Sequence, residues 1–244
     1  MTINDDIRLI PILTIINGEL VKTMRFQNPS YVGDPLNAVR IFNEKLVDEL
    51  ILLDIGNDRI LNKTLIEEVA GECFMPLTYG GKIQTLHDAE SIFALGVEKI
   101  SVNGLLFDNP TLINELINEF GSSSIVLSLD FKKKGNEYYV LNKKKNTYID
   151  FKSIKTRILE LEVGELLITS IEREGTLTQP EYELAKIFET HKLPIVYNGG
   201  VSTIEQIQSL SKLGLSGIAS GAYLVYYGPH RAVLIHYPKK FENE

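Results

Sequence analysis

Leu193–Gly221 reads LPIVYNGGVSTIEQIQSLSKLGLSGIASG, and its punctuation points to the fold. Pro194–Tyr197 is a short apolar run rich in β-branched residues, too short for a helix, and it reads as a buried strand. Asn198-Gly199-Gly200 then turns the chain sharply, because glycine adopts positive φ cheaply and lets a ligand approach the backbone. Ser202 or Thr203 can cap a helix whose apolar positions are Ile204, Ile207, Leu210 and Leu213, and Gly214 ends it. A second strand, Ser216–Ala219, runs into Ser220-Gly221. The unit is strand, glycine turn, helix, strand, glycine turn. Both turns fall at the same ends of parallel strands, where exposed backbone N–H groups make an anion site, most often for phosphate. Ordinary turn chemistry is the structural alternative.

The pattern occurs twice. Tyr79-Gly80-Gly81-Lys82-Ile83-Gln84-Thr85 matches Tyr197-Asn198-Gly199-Gly200-Val201-Ser202-Thr203 at a separation of about half the chain. At the same offset Leu95-Gly96 falls on Leu213-Gly214, and Ile100 on Ile218. A near-half repeat of alternating strands and helices predicts two fused half-barrels, hence one closed α/β fold, a single (β/α)8 TIM barrel. The length of 244 residues suits one such barrel, so a single domain spanning residues 1–244 is expected.

Eight strands are predicted at Arg8–Ile15, Glu49–Ile55, Met75–Tyr79, Lys99–Asn103, Ser124–Phe131, Glu165–Ser170, Pro194–Tyr197 and Ser216–Ala219. Several lack alternation, as strands buried on both faces should. The clearest helices are Asp34–Leu46, Thr64–Glu72, Leu86–Leu95, Thr111–Phe120 and Pro180–His191, with a weak one at Pro229–Ile235. Pro35, Pro110 and Pro180 sit near helix starts, where a missing N–H costs nothing.

Composition narrows the function. Hydrophobic content of 44% supports a large core, and a net charge of −7 argues against a general nucleic-acid or anionic-membrane binder. One cysteine, Cys73, excludes an internal disulfide and any cysteine-based zinc cluster, and it is expected to pack as a small apolar residue. His87, His191, His230 and His236 have no metal-ligand spacing, so no metal and no cofactor are expected. No apolar run reaches membrane-spanning length and MTINDDIR is polar, so a cytoplasmic location is expected.

Barrel chemistry sits at the C-terminal ends of the strands. Those ends carry Thr14, Asp54, Gly80-Gly81, Asn103-Gly104, Asp130, Thr169-Ser170, Asn198-Gly199-Gly200 and Ser220-Gly221. Asp54 and Asp130 are the carboxylates there, and a buried carboxylate needs a partner or a function. Asp130 is the catalytic candidate, whereas Asp54 reads as orienting. The half-repeat pairs Asp130 with Thr14, and threonine is a poor proton shuttle near neutral pH. The long loop Asn17–Gly33 reads as a lid or clamp; its Lys22 is a candidate for holding an anionic group or an ordinary solvated lysine. Lys132-Lys133-Lys134 and Lys143-Lys144-Lys145 flank Glu137–Leu141, which reads as a hairpin from its Gly-Asn turn and alternating Tyr and Val. The basic runs either draw phosphorylated ligands or are simply solvated.

Arg8–Lys22 (RLIPILTIINGELVK), Val47–Ile55 (VDELILLDI), Gly96–Asn103 (GVEKISVN), Gly121–Lys132 and Gly164–Thr176 (GELLITSIEREGT) resemble the cyclase subunit of imidazole glycerol phosphate synthase over nearly the whole chain. PxL near Pro11, Phe26–Pro35 (FQNPSYVGDP), Glu72–Pro76 (ECFMP) and Tyr227–Pro238 (YGPHRAVLIHYP) resemble more closely the glycosyl amidation-associated, WbuZ-like branch of these barrels.

The resemblance implies a (β/α)8 lyase that docks a glutaminase on its N-terminal face and passes ammonia through the barrel to a phosphorylated substrate at the other end. It implies two catalytic carboxylates at positions occupied here by Thr14 and Asp130, and a four-membered ammonia gate formed by Arg8, Glu49, Lys99 and Glu165. It implies phosphate contacts from Asn103, Thr169, Gly175, Gly199, Gly200 and Gly221, with Gly81 at the equivalent turn of the first half. Lys82, Gly104, Asn198 and Glu174 depart from the family's glycine, threonine, serine and aspartate. In the amidation-associated branch the implied acceptor system is a separate ATP-using sugar amidotransferase, which makes an acetamidino group on a surface-polysaccharide sugar. Three functions stand side by side: ammonia delivery for sugar amidation, authentic cyclisation in histidine biosynthesis, and a non-catalytic scaffold that activates a glutaminase. A phosphosugar isomerase, a fourth, does not explain the charged ring.

Overall fold

The computed structural model describes residues 7–188 and 192–238. The last three residues of the expected helix Pro180–His191, and with them His191, lie outside the described residues. Eight parallel strands close into a barrel: β1 Arg8–Ile16, β2 Leu50–Asp54, β3 Leu77–Gly80, β4 Lys99–Val102, β5 Ile125–Lys134, β6 Glu165–Ser170, β7 Ile195–Asn198 and β8 Gly217–Ser220. Each pairs with its successor, and β8 returns to β1 with Arg8 opposite Gly217 and Ile10 opposite Ala219. The barrel is the single (β/α)8 architecture that the half-repeat predicted.

Strand burial follows from closure. All six residues of β6 are buried, because one face looks into the barrel and the other onto helices. Ile10, Ile12, Ile51, Val126, Leu167, Val196 and Ala219 fill the interior. Leu13, Leu52, Leu127 and Ile168, on the opposite faces of these strands, join the larger core beneath the helices. Outside lie α1 Pro35–Glu44, α2 Lys63–Glu72, α3 Leu86–Ala94, α4 Pro110–Phe120, α5 Phe151–Glu160, α6 Tyr182–Lys186, α7 Ile204–Ser211 and the single turn α8 Ala222–Val225.

The repeat survives in backbone detail. Thr85 and Thr203 cap α3 and α7 with extended dihedrals, each accepting a backbone N–H three residues on. Gly96 and Gly214 turn the chain after these helices at φ +97° and +69°. Tyr79 and Tyr197, at matching positions of β3 and β7, are fully buried.

Four expectations are corrected. The loop Asn17–Gly33 is a β-hairpin: Glu19–Met24 pairs with the end of β1 and with Gln27–Gly33. Pro229–Ile235 is not helical; Tyr226–Tyr227 pairs with Ala232–Val233 across Gly228 at φ +71°, a residue that favours a turn over a helix. The helix within Pro180–His191 begins only at Tyr182, because Glu181 is held extended with its N–H donated to the Tyr197 hydroxyl at 2.7 Å. Ile204, counted on the apolar face of α7, is 36% exposed, since it sits in the first turn above the rim of the sheet. The hairpin at Glu137 forms as read and gains a third strand, Thr147–Asp150.

Gly81 shows why the turn chemistry is obligatory. It sits at φ +111°, and a Cβ there would lie 2.2 Å from the Asp54 carbonyl oxygen, a backbone atom that cannot swing away. Gly81→Ala is expected to destabilise the protein by at least about 1–3 kcal/mol, read from urea denaturation at constant m-value.

Candidate active site

The mouth is a cavity of about 770 Å³ framed by the C-terminal strand ends. Asp130 ends the interior face of β5 and is almost wholly buried. Its Oδ2 accepts a hydrogen bond from Asn103 Nδ2 at 2.9 Å and faces Lys143 Nζ at 3.1 Å. Lys143 comes from the hairpin after β5, crosses the mouth, and places its ammonium 5.1 Å from the Phe26 ring centre on the opposite hairpin. Lys144 pairs with Asp108 at 3.5 Å, and Lys133 with Glu181 at 3.1 Å. The basic runs therefore divide: Lys143 and Lys144 lean over the mouth, while Lys132 and Lys134 stack on Tyr148 and Tyr139. Sequence alone missed the Lys143–Asp130 contact, because nothing local says where a hairpin tip folds.

Thr14 lies across from Asp130, as the half-repeat required, and its hydroxyl donates to the Val21 carbonyl. That bond ties the end of β1 to its own hairpin and uses the threonine's only proton. The facing pair Thr14 and Asp130 thus offers one carboxylate where a two-carboxylate arrangement would need a second at Thr14.

Lys22 is not a solvated lysine. It is 5% exposed, reaches inward from the hairpin, and donates to the Ile12 carbonyl at 3.2 Å. Burial pulls its pKa below the ordinary lysine value, with the Glu174 carboxylate pulling the other way. Gly221 makes room for it, since a Cβ there would stand 2.0 Å from the ammonium nitrogen. Glu174 accepts from the Thr23 hydroxyl and the Phe26 N–H, both at 2.9 Å, so its carboxylate pins the hairpin over the mouth. Gly175 permits the same docking, because a Cβ would lie 2.0 Å from the Thr23 carbonyl. Gly200 packs equally closely on Gln179, and Gly199 on Ser170. Asn198 donates to the Thr169 hydroxyl at 3.2 Å. Thr169, Gly175, Gly199, Gly200 and Gly221 therefore gather with Lys22 on the β6–β8 side.

The β3–β4 side differs. Asp54 ends β2, and Lys82 Nζ stands 2.8 Å from its Oδ2 and 2.8 Å from Asp58 Oδ1. Burial lowers the Lys82 pKa, but hydrogen bonds and charge from Asp54 and Asp58 outweigh it and hold the lysine above its ordinary value. Asp54 is thus a paired carboxylate, bound to Lys82 and accepting the Gly56 N–H at 3.0 Å. Its partner at Lys82 was not foreseeable, since the lysine sits at φ +61° in a turn that favours glycine.

At the opposite end four charges meet. Arg8 Nη1 stands 2.5 Å from Glu49 and its Nη2 binds Glu165, while Lys99 stands 3.0 Å from Glu49 and 3.7 Å from Glu165. Glu49 also accepts from the Thr78 hydroxyl at 2.9 Å. Two cations and two anions close one ring. Burial opposes the Arg8 charge, yet Glu165 and Glu49 overcome that and raise its pKa. Alternate strands supply one layer of a barrel interior, so β2, β4, β6 and β8 should each contribute one residue. Glu49 immediately before β2, with Lys99, Glu165 and Gly217 at the starts of β4, β6 and β8, follow this rule, and Arg8 joins them from β1. Gly217 has no side chain, and a Cβ there would press on Ile10 and Val196 at 3.0 and 3.1 Å, with Arg8 Nη2 in ordinary contact at 3.6 Å.

Fold, glycine-turned mouth and ionised floor together define a (β/α)8 barrel with a cavity at its C-terminal end. The family model for histidine biosynthesis proteins matches residues 8–230, and the chain belongs to that family. It is 42% identical over 97% of both chains to a Leptospira borgpetersenii protein named "Putative imidazole glycerol phosphate synthase subunit HisF". It is 43% identical over 95% of both chains to a Pseudomonas aeruginosa protein named "Putative imidazole glycerol phosphate synthase subunit hisF2". A Dictyoglomus thermophilum "Imidazole glycerol phosphate synthase subunit HisF" is 34% identical over 91% of both chains. Within its family the chain is HisF-like. Among the described residues no helix is long and apolar enough to cross a membrane.

The buried Lys22 has a signature in stability. Its folded pKa lies below the unfolded value, so between the two the unfolded chain binds more protons and stability rises with pH. The expected result is a stability increase on approach to pH 10.5 in the parent protein that the stability curve of Lys22→Met lacks.

Proposed function

We propose that this barrel receives ammonia from a partner glutaminase docked where the strands begin, and delivers it through the interior to the mouth. The observation that carries the reading is a neutral floor ring beneath a mouth whose facing strand positions, Thr14 and Asp130, hold one carboxylate between them. Neutral ammonia crosses the apolar layer of Ile10, Ile51, Val126 and Leu167, whereas ammonium would lose its hydration without compensation. Lys99 is the hinge of the gate: its 3.7 Å approach to Glu165 is the loosest link of the ring, and its side chain retains 22% exposure toward the floor. The docking face is marked by Leu46 and Phe74, which are 86% and 85% exposed in the helix-to-strand connections before β2 and β3.

The acceptor in this proposal lies outside the histidine pathway. Ammonia is handed to an ATP-using sugar amidotransferase that builds an acetamidino group on a surface-polysaccharide sugar. Thr14 supports that assignment, because its hydroxyl holds Val21 and cannot replace a carboxylate in proton transfer. Asp130, Asn103 and Lys143 remain to position an acceptor end or relay one proton. Authentic cyclisation is the second reading, favoured by the names of the relatives and by the buried Asp130.

Lys99→Ala separates a gate from a plain stability plug. Either role costs about 3–5 kcal/mol, as breaking a buried pair does. A gate variant also hydrolyses glutamine while losing product, so glutamate formed per amidated product rises with glutamine and not with ammonium salt. An unchanged ratio in the folded variant overturns the gate. Phe74→Asp with Leu46→Asp is expected to abolish co-elution with the glutaminase in size-exclusion chromatography. For the acceptor, Thr14 in place of one proton-transfer group predicts a cyclase rate about 10²–10⁴-fold below a two-carboxylate site. Growth of a cyclase-deleted histidine auxotroph on this protein alone establishes the second reading instead.

A further inference from the structure

We infer that the mouth accepts one anionic group only, on the β6–β8 side, so that the ligand is a phosphomonoester or similar compound charged at one end and uncharged and hydroxylated at the other. The inference rests on the reading of the mouth as a ligand site and goes further by assigning the ligand's charge pattern.

The chain's own repeat provides the comparison. Gly81-Lys82 after β3 corresponds to Gly199-Gly200 after β7, and Asn103 after β4 corresponds to Gly221 after β8. On the β6–β8 side the turn positions are bare, and the Lys22 ammonium lies against Gly221. An ammonium carries three protons, and Ile12 O at 3.2 Å takes one. Both Glu174 oxygens already accept from Thr23 and Phe26. A buried cation with protons to spare, beside glycine turns that let an oxyanion approach the backbone, is an anion seat.

The β3–β4 side closes the equivalent seat. Lys82 folds back over its own turn, and its nitrogen has Asp54 Oδ2 at 2.8 Å, Asp58 Oδ1 and Oδ2 at 2.8 and 2.9 Å, and Ile60 O at 3.1 Å. Three protons meet four acceptors, so the ammonium is saturated. Asn103 fills the place of a bare glycine, and its amide is bound to Asp130. Asp108 pairs with Lys144 at 3.5 Å, and Arg59 lines the rim on an exposed stretch of the β2–α2 connection. Ser101, Ser128 and Asn103 instead offer neutral hydrogen-bonding groups to hydroxyls.

The test counts inorganic phosphate bound per full-length chain by calorimetry and phosphorus NMR. The parent is expected to bind one. Lys22→Gln should weaken that binding about tenfold or more, as loss of a charge-assisted hydrogen bond does. Lys82→Gly with Asp54→Asn and Asp58→Asn removes the ammonium together with both carboxylates it holds, and should add a second phosphate. Thermal unfolding verifies that each variant is folded. Two phosphates on the parent, or one on both the parent and the triple variant, overturns the closed seat. No phosphate on any variant overturns the anion seat as well. Glutamine-dependent ammonia transfer, measured on the same parent protein, reports the proposed function separately: a normal phosphate count without transfer sinks only that function, and normal transfer with two phosphates sinks only this inference.

Discussion

Four ionised side chains closing the floor of a barrel must neutralise one another, and much of this molecule's arrangement follows from that requirement. An uncompensated charge at that depth would cost several kcal/mol. Arg8, Glu49, Lys99 and Glu165 meet the condition as two cations between two anions, each anion touching both cations. Gly217 at the start of β8 puts no side chain of its own into this layer, and Arg8 reaches it from the neighbouring strand. The four charges come from or beside β1, β2, β4 and β6, so closure of the sheet is what brings them together.

Above the floor the same architecture turns apolar and then polar again toward the mouth. Two hairpins lean over that mouth, one after β1 and one after β5, and each is tied down by a charge. Glu174 holds the first through Thr23 and Phe26, while Lys143 carries the second to Asp130. Since Lys143 also lies over Phe26, the two hairpins touch each other across the opening. Asp130 is thus at once the candidate acid–base group and the anchor of the strap above it.

The mouth departs from the symmetry of its own scaffold at three pairs of positions. Thr14 faces Asp130, Lys82 answers Gly200, and Asn103 answers Gly221. Thr14 and Asp130 keep the strand ladder and differ in the side chains they turn to the mouth, whereas the other two differences fall after the strand ends, where neighbouring turns set the backbone. A lysine at φ +61° is held by Asp54 and Asp58, a local cost offset by two ion pairs. The proposed function draws on these asymmetric positions. The symmetric ones, such as Thr85 with Thr203 and Gly96 with Gly214, carry the fold.

The fold was legible because its determinants are local and repeat. Apolar runs without alternation, threonine caps and glycine turns each act within a few residues, and their recurrence after half a chain length implied closure. The strand ends named residues that the structure places around one mouth for the same reason: periodicity fixes which residue faces inward. The hairpin in Asn17–Gly33 escaped notice because its pairing partner is the tail of β1, beyond the reach of a local pattern. What only the tertiary structure decided concerns groups brought together from distant strands and loops. Burial made Lys22 an inward cation, folding laid Lys143 on Asp130, and Lys82 found two aspartates from the β2 end and its loop. Long flexible side chains carry no record in sequence of which way they turn. Their direction is set by the nearest opposite charge in space, and the barrel alone determines which charge that is.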